Sequence, residues 1–188
     1  MTYTMDFLYA FLGGVSCKLY DDFNDNGMIG REIQEILKGT QWILLTLLSY
    51  NDFNFALINF TMNALNAMNN WGEWKHPYES SLLLLTPMFL LTSFSTRMYP
   101  TLYDIGYVLF LIFVMAMEPL FIHEEFSYRK LVIRLVALII SYIGVWFEGI
   151  VSISFIKLGY YSIGYLLTSV FFQAYMLWKK NESVSVEE

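Results

Sequence analysis

The sequence predicts an all-α fold, a polytopic transmembrane bundle of about seven helices, and three observations carry this prediction. The chain of 188 residues is 56% hydrophobic and only 15% charged, whereas soluble domains carry roughly 25% charged residues. Seven apolar segments follow one another with short polar connections. Because one crossing takes about 20 residues, these segments use almost the whole chain. We therefore expect one domain over residues 1–180 and a short, disordered acidic tail over 181–188.

The predicted helices are defined by their apolar runs and by the polar residues between them. They span residues 5–20, 37–50, 53–68, 80–94, 101–117, 129–147 and 158–178. No basic residue precedes the first run, so we interpret it as a membrane helix and not as a cleavable signal peptide. The second and third runs are separated only by Asn51-Asp52, which fits either a tight hairpin or one long, bent helix.

The distribution of basic residues predicts the orientation, with the N-terminus outside and the C-terminus in the cytosol. In this topology the outer side receives only Arg97 and Lys157, and the cytosolic side receives the other nine basic residues, in agreement with the positive-inside rule. The same topology places the acidic residues 21–25, the loop 71–79 and the cluster 123–125 on the cytosolic side. Three polar groups are then expected to face one another at one end of the bundle.

Charge and cysteine content exclude several classes of function. The net charge is −6 and no cluster of Lys and Arg occurs, which argues against nucleic acid as a partner, because binding to phosphates requires such clusters. Cys17 is the only cysteine, so an internal disulfide and a cysteine-based zinc site are both excluded.

The first candidate site is the acidic cluster that follows the first helix. Asp22 and Asp25 are three residues apart, so on a helix they share one face, and Asp21 precedes them. Two such carboxylates can hold Mg²⁺ together with the oxygens of a substrate diphosphate. We predict Asp22 and Asp25 as metal ligands and Asp21 as a supporting catalytic carboxylate. The alternative is a solvated turn, since Asp-Asn-Gly is also typical turn chemistry.

The second candidate site is His123-Glu124-Glu125, which resembles the first in having a polar ring followed by two acids and a phenylalanine. A pair of acidic sites suits a clamp for a metal-bound diphosphate, and we predict these three residues as catalytic. The alternative is a set of solvated residues at the membrane interface. Lys38 and Arg129, beside the two clusters, are candidates to pair with the phosphates, or else act as positive-inside anchors.

Polar residues also recur inside the predicted helices. Asn59, Asn63, Asn66 and Asn70 share one face of the third helix, and Arg134, Ser141 and Glu148 recur every seven residues on the sixth. Because such side chains are unfavourable against lipid, both stripes are expected to face the bundle interior. Asn59 and Asn63 would then line a substrate cavity, or they would serve as interhelical hydrogen-bond glue.

These motifs resemble the UbiA-type intramembrane prenyltransferases over residues 13–40. Gly13-Gly14 precede the cluster, Asp22-x-x-Asp25 matches the core of the first motif, and Lys38-Gly39 lies near the basic residue and glycine that follow it. Glu124-Glu125 stand where the family has its second acidic motif. The resemblance implies Mg²⁺ on Asp22 and Asp25, phosphates paired by Lys38 and Arg129, and a lipid or isoprenoid acceptor in the helical cavity.

Three functions remain open from the sequence. The first is an enzyme of isoprenoid or lipid metabolism, a prenyltransferase or a terpene cyclase started by a carboxylic acid. The second is a small transporter or channel, which would require polar groups through the full depth of the bundle. The third is a membrane subunit without catalytic activity.

Overall fold

The structure is a computed structural model that describes residues 2–25, 27, 30–50, 52–69, 91, 94, 97–121 and 127–186. Within these residues all regular secondary structure is helical and no strand occurs, which confirms the prediction of an all-α fold. The helices are α1 (Thr2–Asp25), α2 (Arg31–Ser49), α3 (Phe53–Asn69), α4 (Leu102–Phe121), α5 (Tyr128–Gly144) and α6 (Ile153–Val186), with a 3₁₀ turn, Val145–Phe147, after α5.

The connection between α2 and α3 is a hairpin, which decides between the two interpretations of this region. The Asp52 carboxylate accepts a hydrogen bond from the backbone N–H of Phe55 at 3.0 Å. A side-chain oxygen in this position satisfies a donor that the first turn of a helix leaves without a backbone partner. Asp52 thus caps α3 and allows the chain to reverse its direction within a few residues.

Helix α6 is the central helix, and α1 runs parallel to it in close contact. Phe7 stacks on Tyr160 at 4.6 Å between ring centroids, and the Lys18 ammonium lies 5.0 Å from the ring centre of Tyr165. Between these points a Cβ atom at Gly14 would lie 2.0 Å from the Tyr161 carbonyl oxygen. The two backbones therefore touch, as small residues permit between membrane helices.

The remaining helices alternate in direction around α6. Ser141 of α5 pairs with Ser162, and Arg134 reaches Ser169, so α5 is antiparallel to α6. On α4, Tyr107 packs near Phe155 and Val114 packs near Leu166, so α4 is parallel to α6. Helix α2 is antiparallel to α1, since Leu48 packs with Ala10 while Leu44 approaches Gly13.

This arrangement gives the bundle two ends, which we call upper and lower. The upper end holds the start of α1 and the α2–α3 turn, and the lower end holds the end of α1 and the start of α5. Helix α4 begins at the upper end, where Asp104 accepts hydrogen bonds from Ser152. The predicted fourth helix, 80–94, lies outside the described residues except for Leu91 and Phe94.

Within the part of the chain that the structure describes, two segments are long and apolar enough to cross a membrane, Tyr128–Phe147 and Ile153–Glu182. Helix α5 exposes apolar side chains along one side, with Val132, Val136, Ile139 and Ile143 all more than a third exposed. The core is formed by the opposite side, where Ala137 and Ser141 are buried.

The structure differs from the sequence prediction in two places. Helix α6 continues to Val186, so residues 181–186, predicted to be a disordered tail, form its last turns. Glu148, predicted to face the interior with Arg134 and Ser141, is exposed, because α5 ends at Gly144 and the seven-residue spacing no longer places residue 148 on the same face.

Candidate functional site

The end of α1 carries an ion pair that faces the bundle. The Lys18 ammonium lies 2.8 Å from the Asp22 carboxylate, and each side chain is only 11% exposed. The two residues are one helical turn apart, which is the spacing that brings opposite charges together on one face. The predicted metal ligand Asp22 therefore points inward and already has a cationic neighbour from its own helix.

Arg134 of α5 is buried at the same end of the bundle, where it contacts α6. Its guanidinium donates hydrogen bonds to the Ser169 carbonyl oxygen at 3.0 Å and to the Gln173 side-chain oxygen at 3.3 Å. It is 6% exposed and close enough to repel the Lys18 ammonium. We call Lys18, Asp22, Arg134, Ser169 and Gln173 the lower cluster.

Asp21 lies beside the lower cluster and is half-buried. The Cys17 thiol donates to its carboxylate at a sulfur–oxygen distance of 3.9 Å. Asp25 lies at the end of the same helix, and its side chain is outside the described part of the structure. The first acidic motif thus contributes Asp21 and Asp22 to the lower end of the bundle.

The described side chains do not by themselves form the predicted magnesium site. Among them no group of three or more His, Cys, Asp or Glu residues could hold a metal ion. The predicted ligand Asp22 already forms an ion pair with Lys18. Mg²⁺ usually binds through one or two carboxylates together with substrate phosphates. The magnesium prediction therefore depends on Asp25 and on a bound substrate, and it stays a prediction.

Of the other predicted site residues that the structure describes, Lys38 and Arg129 lie at the lower end and Asn59 lies near the α2–α3 turn. The Lys38 ammonium lies 4.6 Å from the ring centre of Tyr20, and Arg129 is exposed in the first turn of α5. Asn59 is buried and donates a hydrogen bond to the Ser49 hydroxyl at 3.2 Å. This is a hydrogen bond between two helices, which was the alternative to a role in lining a substrate cavity. Asn63 belongs to α3, but its side chain is not described, and His123, Glu124 and Glu125 lie outside the described residues.

A second cluster of buried charges occurs at the upper end. The sequence analysis did not identify this cluster as a site. The Lys157 ammonium lies 2.7 Å from the Asp52 carboxylate and 3.3 Å from that of Asp6. The Ser154 hydroxyl donates to Asp52 at 2.8 Å. We call Asp6, Asp52, Ser154 and Lys157 the upper cluster, and it joins α1, α3 and α6.

A row of polar side chains on α6 connects the two clusters. Its members follow one another at three- and four-residue steps: Ser154, Lys157, Tyr161, Tyr165, Ser169 and Gln173. Such a row winds around a helix, here from the side that faces α1 to the side that faces α5. From Ser154 to Gln173 it rises about 28 Å, close to the thickness of about 30 Å of a bilayer's hydrocarbon core.

Sequence reasoning missed Lys18, Asp6, Ser169 and Gln173, and it treated Lys157 only as an outer-side charge. A signal for Lys18 was present, because a lysine four residues before an aspartate predicts an ion pair on a helix. The partners of Lys157 and Arg134 are 105 and 39 residues away, and no local spacing indicates them.

Comparison with known proteins returned no relative: no family model matches the chain, and neither a curated protein nor a solved structure matches it. The assignment of function therefore depends on the chemistry of the two clusters and on the surface of the bundle.

Proposed function

We propose that the chain is a multi-pass membrane protein with seven crossings and with its lower end in the cytosol. The exposed side of α5 supports this proposal. It is formed by hydrophobic residues from Val132 to Ile143, and it is flanked by Tyr128, which is 62% exposed, and by Trp146 of the following 3₁₀ turn, which is 75% exposed. These two aromatic residues are separated by a rise of about 27 Å, and aromatic side chains of this kind are typical of the two membrane interfaces.

We further propose that the lower cluster is the site of an enzyme that acts on a phosphorylated isoprenoid or related lipid. The observation that carries this proposal is that two cations shielded from solvent, Lys18 and Arg134, lie at the same end of the bundle as the acidic end of α1, each packed on the same part of α6. Ionisable groups inside a membrane bundle are costly and are retained mainly where they have a function. Two cations and two carboxylates at one end suit a substrate with a charged head and an apolar tail.

The chemistry follows from these charges. In prenyl transfer the bond between the prenyl carbon and the diphosphate oxygen breaks, the acceptor forms a new bond to that carbon, and negative charge grows on the diphosphate that leaves. Lys18 and Arg134 would stabilise that charge, as preorganised cations do in a site with little water. Mg²⁺, if held by Asp22 and Asp25 with the phosphates, would polarise the same leaving group. The hydrocarbon chain would extend among the aromatic side chains of the bundle.

Binding of a prenyl diphosphate tests this function. We expect a prenyl diphosphate with Mg²⁺ to raise the unfolding temperature of the purified protein in detergent. Arg134→Gln should lose this increase, while Arg97→Gln, which removes the same charge at the upper end, should keep it. A wild-type protein that does not respond to the ligand would contradict the proposal, and so would an equal loss in both variants.

A second candidate function, transport of a small cation or of protons, is favoured by the polar row on α6. The row joins the upper and lower clusters over about the full thickness of a bilayer, as a transport path would require. In this case vesicles that contain the protein should show a flux that Lys157→Gln abolishes. Prenyl diphosphate binding without any flux would favour the enzyme, and flux without binding would favour the transporter.

A further inference from the structure

The first turn of α5 and the last turns of α6 lie side by side at the lower end. The Asn181 side-chain amide donates a hydrogen bond to the Tyr128 hydroxyl at 2.9 Å. The contact brings together two pairs of basic residues that are 50 positions apart in the sequence. Arg129 and Lys130 directly follow Tyr128, and Lys179 and Lys180 directly precede Asn181. We call these four basic residues the basic patch.

The patch is accessible and strongly positive. Arg129, Lys179 and Lys180 are exposed and Lys130 is half-buried. Among the described residues of these two helix ends, one acid, Glu182, stands against the four basic side chains. Among these described charges, the positive ones are therefore in excess.

The start of α5 adds to this excess of positive charge. Its first turn contains no acidic residue, although the N-terminus of a helix carries a partial positive charge that acidic side chains normally compensate. Arg129 and Lys130 increase the positive charge at this position instead. An anion from outside the described chain would relieve the repulsion.

Aromatic residues beside the patch indicate its depth in a membrane. Trp178 is 61% exposed, and its ring lies 6.2 Å from that of the exposed Tyr175. With the exposed Tyr128, these rings form the kind of aromatic belt that occupies the level of lipid headgroups. The basic patch is therefore at the height at which phosphate groups of lipids lie.

We propose that the basic patch binds the headgroup of an anionic phospholipid in the cytosolic leaflet. This inference depends on the membrane location proposed above, and it is independent of the proposed enzyme activity. Basic residues near an anionic leaflet each strengthen binding by about fivefold, so the patch would also fix the lower end in the cytosolic leaflet. Its charge complementarity favours an anionic lipid over a zwitterionic one.

A lipid titration tests the proposal. The protein in non-ionic detergent is titrated with phosphatidylserine, phosphatidylcholine or inorganic phosphate, and the unfolding temperature is followed. We expect phosphatidylserine alone to stabilise it, less so at high salt. The triple variant Arg129→Gln/Lys179→Gln/Lys180→Gln should require roughly 100-fold more phosphatidylserine, since each of the three residues contributes about fivefold. If it does not fold, the single variant Lys179→Gln should show about fivefold weaker stabilisation.

Two control variants and four outcomes make the test decisive. Arg97→Gln, at the upper end, should leave the response unchanged, and Glu182→Gln should preserve or strengthen it. Equal stabilisation by phosphatidylcholine, or a response that persists in the patch variants, would overturn the proposal. Equal stabilisation by inorganic phosphate would assign the patch to a free anion instead. A protein that does not float with lipid vesicles would overturn the membrane assignment, and the lipid site with it.

Discussion

Lys157 is held between two carboxylates and is almost entirely shielded from solvent. The side chain is 6% exposed and contacts Asp52 and Asp6. Removing one partner of a buried ion pair leaves the other charge without compensation, which typically costs about 3–5 kcal/mol. We expect Lys157→Met to lower the free energy of unfolding in detergent by about this amount, measured by denaturant titration.

A double mutant of the upper cluster tests whether the ion pair between Lys157 and Asp52 stabilises the fold. Asp52→Asn should retain the cap of α3, since asparagine is a good N-cap residue, while it removes the charge. Combined with Lys157→Met, it should cost less than the sum of the two single variants. Exposed Lys179→Met serves as the control and should change stability by less than about 0.5 kcal/mol. Strict additivity at the cluster would show that the ion pair does not stabilise the fold.

At the residue scale, local spacing predicted only part of what the structure contains. Asp22 was identified from the sequence, and its pairing with Lys18 follows from a four-residue spacing. Arg134 was expected to face the interior, which its burial confirms. Its partners Ser169 and Gln173 belong to another helix, and they depend on how α5 and α6 pack, which the sequence alone does not specify.

At the scale of the helices, the contact of α1 with α6 depends far more on Gly14 than on the neighbouring Gly13. A Cβ atom at Gly14 would lie 2.0 Å from a carbonyl oxygen of α6, whereas one at Gly13 would lie 3.5 Å from the flexible ring of Tyr161. We expect Gly14→Ala to separate the two helices and to destabilise the protein by more than about 2 kcal/mol, within the range of overpacked cores.

Gly13→Ala is the matched control for this prediction. It introduces the same methyl group one residue earlier, in ordinary van der Waals contact. Alanine is favoured over glycine in a helix by about 1 kcal/mol, so this variant should be neutral or slightly stabilising in thermal unfolding. Equal effects of the two substitutions would mean that α1 and α6 are not in backbone contact.

A capping box predicts a further effect at the start of α4. Thr101 and Asp104 exchange hydrogen bonds, and the Asp104 carboxylate also accepts from the Ser152 backbone and hydroxyl at 2.7 and 2.9 Å. Asp104→Ala should therefore lose both the cap and the link to α6. We expect a loss of about 2–4 kcal/mol, since several hydrogen bonds to one buried carboxylate are removed. An effect no larger than that of Thr101→Ala would contradict this role.

The helices themselves were the most predictable part of the structure. Runs of apolar residues located α1, α2, α3 and the C-terminal helices, because burial of apolar surface dominates the sequence pattern. Helix ends were less predictable. Helix α6 extends beyond Trp178 to Val186 through a polar stretch, where the continuing backbone hydrogen bonds outweigh the loss of hydrophobicity.

For the whole molecule, the central observation is that buried charges occupy both ends of one helical bundle. The lower cluster brings together α1, α5 and α6, and the upper cluster brings together α1, α3 and α6. The alternation of helix directions places the ends of α1 and α4 and the start of α5 together. The second acidic motif, 123–125, lies outside the described residues, so the expectation that the two acidic motifs share one end stays a prediction.

The central claim is that the end of α1 and the start of α5 lie on the same side of the membrane. Labelling of single cysteines in sealed membranes measures this directly. In a Cys17→Ser background, Gly30→Cys follows α1, Arg129→Cys begins α5, and Met98→Cys lies at the upper end. All three positions are exposed. We expect an impermeant maleimide to label Gly30→Cys and Arg129→Cys from the same compartment and Met98→Cys from the opposite one. Labelling of Gly30→Cys and Arg129→Cys from opposite sides would contradict the account.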